Sequence, residues 1–132
     1  MNNSVFIQEC KFLINKLIEI SEKSRIEGIL SLEEDIDHDK FLQGNILDVG
    51  LRLFTDGVEC EFIEKILTNL INNETDEEKK FYGKIVKNGI IAIQKGSNIP
   101  NGINIPLLKL LLNSYANIDV IETLQYYKDN SI

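Results

Sequence analysis

His38 is the only histidine of the chain, and Cys10 and Cys60 are its only cysteines. A Cys–His pair would give thiolate chemistry if the fold brought them together. His38 lies in an acidic turn remote in sequence from both thiols, and no C-x-x-C occurs. The two cysteines therefore read as free, at least partly buried thiols. Asp35, Asp37, His38 and Asp39 could offer oxygen and nitrogen ligands to a metal. A calcium loop starting at Asp35 would need Gly at its sixth position and an acid at its twelfth. Lys40 and Ile46 stand there. The acidic run reads as a solvated turn, with no metal and no cofactor. Gly83, Gly89 and Gly96 do not form a phosphate loop, because charged helical sequence separates them and no strand precedes them. The remaining acids fall on polar faces. No enzyme is expected.

The most informative charges lie in a mixed stretch: Glu22, Lys23, Arg25, Glu27, Glu33 and Glu34. Such a face is either solvated or binds protein. Were one helix to run through it, the eight-residue separation of Arg25 and Glu33 would set them roughly 80° apart and about 12 Å along the axis. Both could then reach one partner surface.

The elements that must carry these charges read as helices. Apolar residues recur three and four apart at Phe6, Cys10, Leu13, Ile14, Leu17 and Ile18, which predicts a first helix over 4–32 with a bend or close neighbour at Gly28. A second helix is expected over 39–55, closed by Asp56-Gly57. A third begins near Glu59 and runs to Gly96. Thr75 with Glu78 fits a capping box that would split it, but the spacing of Phe81, Ile85 and Ala92 favours continuity or a mild kink. This long helix is expected to run antiparallel to the first. A loop over 97–106 holds both prolines, and helices over 105–115 and 119–128 follow, with 129–132 frayed. The fold class is all-α: a compact bundle of four to five helices with a long central helix, one domain over 1–132.

Composition narrows the partners. The 132 residues are 43% hydrophobic with a formal net charge of -7, enough for a core and hostile to phosphate backbones and anionic membrane surfaces. Nucleic acid is not an expected partner, and a basic protein face is more natural. No window approaches the ~18 uncharged apolar residues of a membrane-spanning helix, and residues 1–20 are too charged for a signal peptide. No membrane insertion by this chain is expected.

Lys23-Ser24-Arg25-Ile26-Glu27-Gly28-Ile29-Leu30-Ser31-Leu32-Glu33 resembles the "A-R-x-E-G-L-L-A-L-E" segment of MotA proteins, flagellar-motor stator subunits. Lys40-Phe41-Leu42 and the stretch from Leu51 to Val58 are similar to the following "P-F-L-x-x-G-L-x-L-x-x-D-G", and 61–67 to "P-E-x-I-x-x-I-L". The stretch from Lys84 to Asn98 resembles "I-V-x-E-G-I-L-A-I-Q-x-G-E-N-P-R", and Leu107 to Tyr115 resembles the helix after it. The likeness thus assigns about 5–80 to the MotA cytoplasmic loop and about 81–116 to its C-terminal tail. Between these blocks the family has two transmembrane helices, where this chain has about ten polar residues, 72–81. After Asn98 the pattern departs and its arginine is missing. The resemblance implies a cytoplasmic, rotor-contacting role in motility, with MotA-like subunits and MotB in a ring and charged contacts to the rotor protein FliG. By position it makes Arg25 and Glu33 the FliG-contact residues, with Lys23, Glu22 and Glu34 as weaker candidates. The alternatives are a membrane-free regulator or decoy that binds FliG or stator subunits without ion conduction, and an unrelated helical adaptor.

Overall fold

Capping and glycine chemistry divide the chain into more pieces than its apolar periodicity suggests. A computed structural model describes residues 4–97 and 102–130. Among these residues there are seven α-helices and one 3-10 helix and no strand. The all-α class holds, but the count of four to five helices does not.

α1 (Ser4–Glu27) buries Phe6, Cys10, Leu13, Ile14, Leu17, Ile20 and Ser21 along one stripe. It stops at Gly28, whose φ of 92° and ψ of 160° lie in a region essentially closed to side-chain-bearing residues. The expected continuation to residue 32 is therefore wrong. The chain turns instead into a 3-10 helix (Ile29–Asp35), which buries Leu32 completely.

The expected second helix is also two. α2 (His38–Leu42) is capped by Asp37, whose side chain accepts from the Lys40 N–H. A turn at Gln43-Gly44-Asn45 then leads to α3 (Ile46–Thr55), capped by Asn45 through the Asp48 N–H. Each cap of this type contributes about 1 kcal/mol.

The third helix breaks where continuity was expected. α4 (Cys60–Asn73) ends before Glu74, and α5 (Glu77–Gly96) restarts from Asp76, whose carboxylate accepts from the Lys79 N–H at 3.0 Å. The cap is Asp76, one residue after the Thr75 of the capping-box reading. Ile71 lies against Gly83, the Lys87 ammonium donates to Thr68 Oγ1 at 3.2 Å, and the Gln94 amide donates to the Val58 carbonyl at 2.7 Å. Those contacts define α4 and α5 as an antiparallel hairpin.

α5 is the central helix, packed against α1, α3, α4 and a later helix, α6 (Ile105–Ala116). Its direction relative to α1 departs from expectation. Phe6 lies 5.5 and 5.6 Å from the Phe81 and Tyr82 rings, Leu17 lies on Gly89, and Ser21 and Ser24 share a cleft with Ile93 and Ser97. The pairs advance together, so α1 and α5 are parallel, and of the long helix expected from residue 59 only the α4 arm runs against α1. Gly89 permits the approach: a Cβ there would stand 2.6 Å from Leu17 Cδ1.

α6 starts from the Asn104 cap with Pro106 in its first turn, where the missing N–H costs nothing. Asn117 ends it in a left-handed conformation. α7 (Val120–Asn130) packs on α6, with the Asn113 amide donating to Thr123 Oγ1 at 2.9 Å and the Lys109 ammonium 4.5 Å from the Tyr126 ring centre. Pro100 and the ends at 1–3 and 131–132 lie outside the described residues.

Candidate functional site

The end of α1 and the 3-10 helix carry every charge singled out from the sequence. Gly28 turns the chain so that the 3-10 helix packs back on α1. The lysines of α1 hold it there. The Lys23 ammonium bonds the Glu34 carboxylate and sits 2.8 Å from Asp35, and Lys16 lies 3.7 Å from Asp35. Asp35 first, then Glu34, push the Lys23 pKa well above the ordinary lysine range. On the far side, Arg52 of α3 lies 3.7 Å from Glu33 and 3.3 Å from Asp56.

Arg25 is different. It is exposed at the last turn of α1, and among the described residues it forms no ion pair. Its aliphatic stem passes over Gly102, where a Cβ would stand 3.5 Å from the Arg25 Cδ. Arg25 thus helps to line a cleft of about 450 Å³, together with Ser21, Ser24, Gly28, Ile29, Ile93, Ser97, Gly102 and Ile103. Ile26 and Leu30, on either side of Gly28, are 69% and 72% exposed.

The single-helix geometry proposed for Arg25 and Glu33 therefore fails, because Gly28 puts them on separate elements. Of the five candidates, Arg25 and Glu22 are exposed and make no ion pair with a described residue, whereas Lys23, Glu33 and Glu34 are engaged within the fold. Sequence reasoning missed Arg52 and Asp35 as their partners, and Lys16 as a second partner of Asp35. No periodicity links residues 11 to 19 apart across a turn. The exposed pair Ile26 and Leu30 was visible only as ordinary helix apolar positions.

The other reactive groups stand apart. Cys10 is fully buried, and its pKa is pushed up to about 11 by burial first, then by Glu9 and Glu78, so it is a poor nucleophile at neutral pH. Cys60 is partly buried in the first turn of α4, and His38 is exposed on α2. Among the described residues, no group of three or more His, Cys, Asp or Glu side chains is placed to hold a metal ion. Asp37 is spent as a helix cap, and its backbone N–H donates to the buried Asp48 carboxylate at 2.9 Å.

Comparison with protein-family models, with curated proteins and with solved structures found no match for this chain.

Proposed function

We propose that this chain is the cytoplasmic, rotor-contacting part of a flagellar-motor stator, passing force to FliG through charged contacts and acting beside MotA-like subunits and MotB. The observation that carries the reading is Arg25: an exposed side chain without an ion pair among the described residues, held at a helix end by its stem over Gly102. It is the position that the MotA-like segment assigns to a rotor-contact arginine. A torque contact must form and release repeatedly. An exposed ion pair worth about 0–1 kcal/mol suits that duty, and charge steering speeds re-engagement. Glu33 is the second contact, and it reaches a rotor cation by exchanging its Arg52 partner.

One observation favours a second reading. Among the described residues, no helix is long and apolar enough to cross a membrane. A regulator or decoy that engages FliG or stator subunits without ion conduction needs no such helix.

Titration of the chain with the C-terminal domain of FliG, at low and moderate salt, tests the first reading. Binding should weaken as salt rises and should be lost in the Arg25→Glu, Glu33→Lys double variant. Binding indifferent to both would remove the charge-contact assignment and leave an adaptor. Binding with incorporation into, or competition against, full-length stators would favour the decoy.

A further inference from the structure

We infer that the cleft between α1, α3 and the ends of α4 and α5 binds a small organic cation, a primary ammonium on an apolar body, with Asp48 as the anchor for its charge. This cleft shares no lining residue with the one at Arg25, and its ligand does not depend on the rotor reading. It holds about 740 Å³, within the roughly 300–1,000 Å³ of small-molecule sites.

Asp48 is 5% exposed and forms no ion pair with a described residue. Its Oδ1 accepts the Asp37 N–H at 2.9 Å. Its Oδ2 accepts no hydrogen bond from a described residue. Nor is that oxygen sealed: among the described residues, the one sealed and unbonded side-chain oxygen or nitrogen is Gln94 Oε1. Asp48 lines the cleft, so Oδ2 opens into it. The first turn of α3 favours a negative charge there, yet a carboxylate taken out of water without a counter-ion is costly. A cation in the cleft removes that cost.

The other charges on the wall set its sign. Glu9, Asp35, Asp37, Asp48 and Glu74 stand against Lys16, Lys40 and Lys79, five carboxylates to three ammonium groups. Lys16 is held 3.7 Å from Asp35, which also takes Lys23. Asp37 caps α2, and Glu74 accepts from the Thr75 and Asp76 N–H groups. Glu9, Lys40 and Lys79 are exposed, where salt and water screen them. Asp48 is thus the one buried charge of the cleft. Burial first, then Glu78, push the Tyr82 pKa up, so the α5 wall is acidic as well. Leu13, Ile71 and Val86 are buried and line the same space, which suits an apolar body beside the charge. A primary ammonium brings three N–H donors to Oδ2, whereas a quaternary one brings none. Among the described residues no group of three metal-ligating side chains forms, so an inorganic cation finds too few oxygens.

Amide proton–nitrogen correlation spectra of the full chain, titrated separately with hexylammonium, hexanol and hexanoate, test this. The Asp37 amide is the reporter, because it donates to Asp48. Hexylammonium should shift it saturably and bind about tenfold or more tightly than hexanol, with hexanoate weakest. Asp48→Asn keeps an oxygen for the Asp37 N–H and removes the charge. It should weaken hexylammonium about tenfold and leave hexanol unchanged. Glu122→Gln removes the same charge from an exposed position of α7 outside the cleft and should leave every probe unchanged. If Asp48→Asn disturbs the spectrum throughout the chain, the ranking of the three probes on the wild type decides. Hexanol or hexanoate binding as tightly as hexylammonium overturns the site. So does an Asp37 amide that does not move, hexylammonium binding that survives Asp48→Asn in full, an equal loss in Glu122→Gln, or no saturation by hexylammonium.

Discussion

Replacing Gly89 with Ala sets two effects against each other at the contact that brings α1 and α5 together. A buried glycine in mid-helix gives up about 1 kcal/mol of helix propensity relative to alanine. On that ground alone, Gly89→Ala would stabilise. The added methyl, however, would stand 2.6, 2.9 and 3.0 Å from Leu17 Cδ1, Cδ2 and Cγ. Three atoms of one branched end are too close at once, so rotation of a single methyl does not relieve the contact. Leu17 is 0% exposed and has no solvent to move into. Overpacking of this kind costs about 1–3 kcal/mol, so the net result is a destabilisation of about 1 kcal/mol. A double-mutant cycle isolates the cause. Leu17→Ala alone leaves a cavity and costs about 2–5 kcal/mol, but it also clears the space that an alanine at 89 needs. The pair should fall short of the sum of the singles by about 0.5–3 kcal/mol. Urea unfolding followed by helical ellipticity reads all three variants, provided that the m-value stays constant. Additivity of the two changes, or a more stable Gly89→Ala single variant, would refute the close contact of Leu17 with Gly89 that brings α1 onto α5.

Other consequences are more local. Gly28→Ala meets no atom within 4 Å, yet its φ of 92° should cost about 1–3 kcal/mol, read as a lowered urea midpoint. Cys10 keeps its proton longer when folded than unfolded, since its pKa rises from 9.0 to about 11. The stability it confers is complete below pH 9 and declines as pH climbs through 11, and Tyr82, raised by burial and then Glu78, acts in the same direction. Thermal melts across that window should fall, and at pH 8 a thiol reagent should modify Cys60 well before Cys10. Arg52→Gln removes the fold's own partner for Glu33. FliG binding by this variant should then depend more steeply on salt, and an unchanged slope would take Glu33 out of the contact.

Much of the architecture is legible in the sequence because a helix advertises its buried face. The stripe of Phe6, Cys10, Leu13 and Leu17 lies in the core as its spacing requires, and the Asn104 and Asp76 caps are local signals of ordinary kinds. The misreadings come from places where local signals compete. Gly28 looks like a tolerated mid-helix glycine until its backbone angle is known. Asp76 and Thr75 are both credible caps, and the apolar spacing runs through the break because α4 and α5 each present their own stripe to the same core. Helix direction is not encoded in periodicity at all. It follows from the turn at 74–76, which folds α4 onto α5 as a hairpin and leaves α5 parallel to α1. For the candidate site, residue type points to Arg25. Its lack of an ion pair among the described residues, and the capture of Lys23, Glu33 and Glu34 by Asp35, Arg52 and each other, depend on contacts across turns.

In the proposed rotor contact, Arg25 meets a carboxylate of FliG. The most direct measurement is a charge swap. Arg25→Glu is titrated against wild-type FliG C-terminal domain and against versions in which each exposed acid of that domain is replaced by lysine in turn. Arg25→Glu should lose affinity for the wild-type rotor domain and regain it, with restored salt dependence, for one particular lysine version. Failure of every lysine version to rescue, while wild-type binding stays intact, would contradict it.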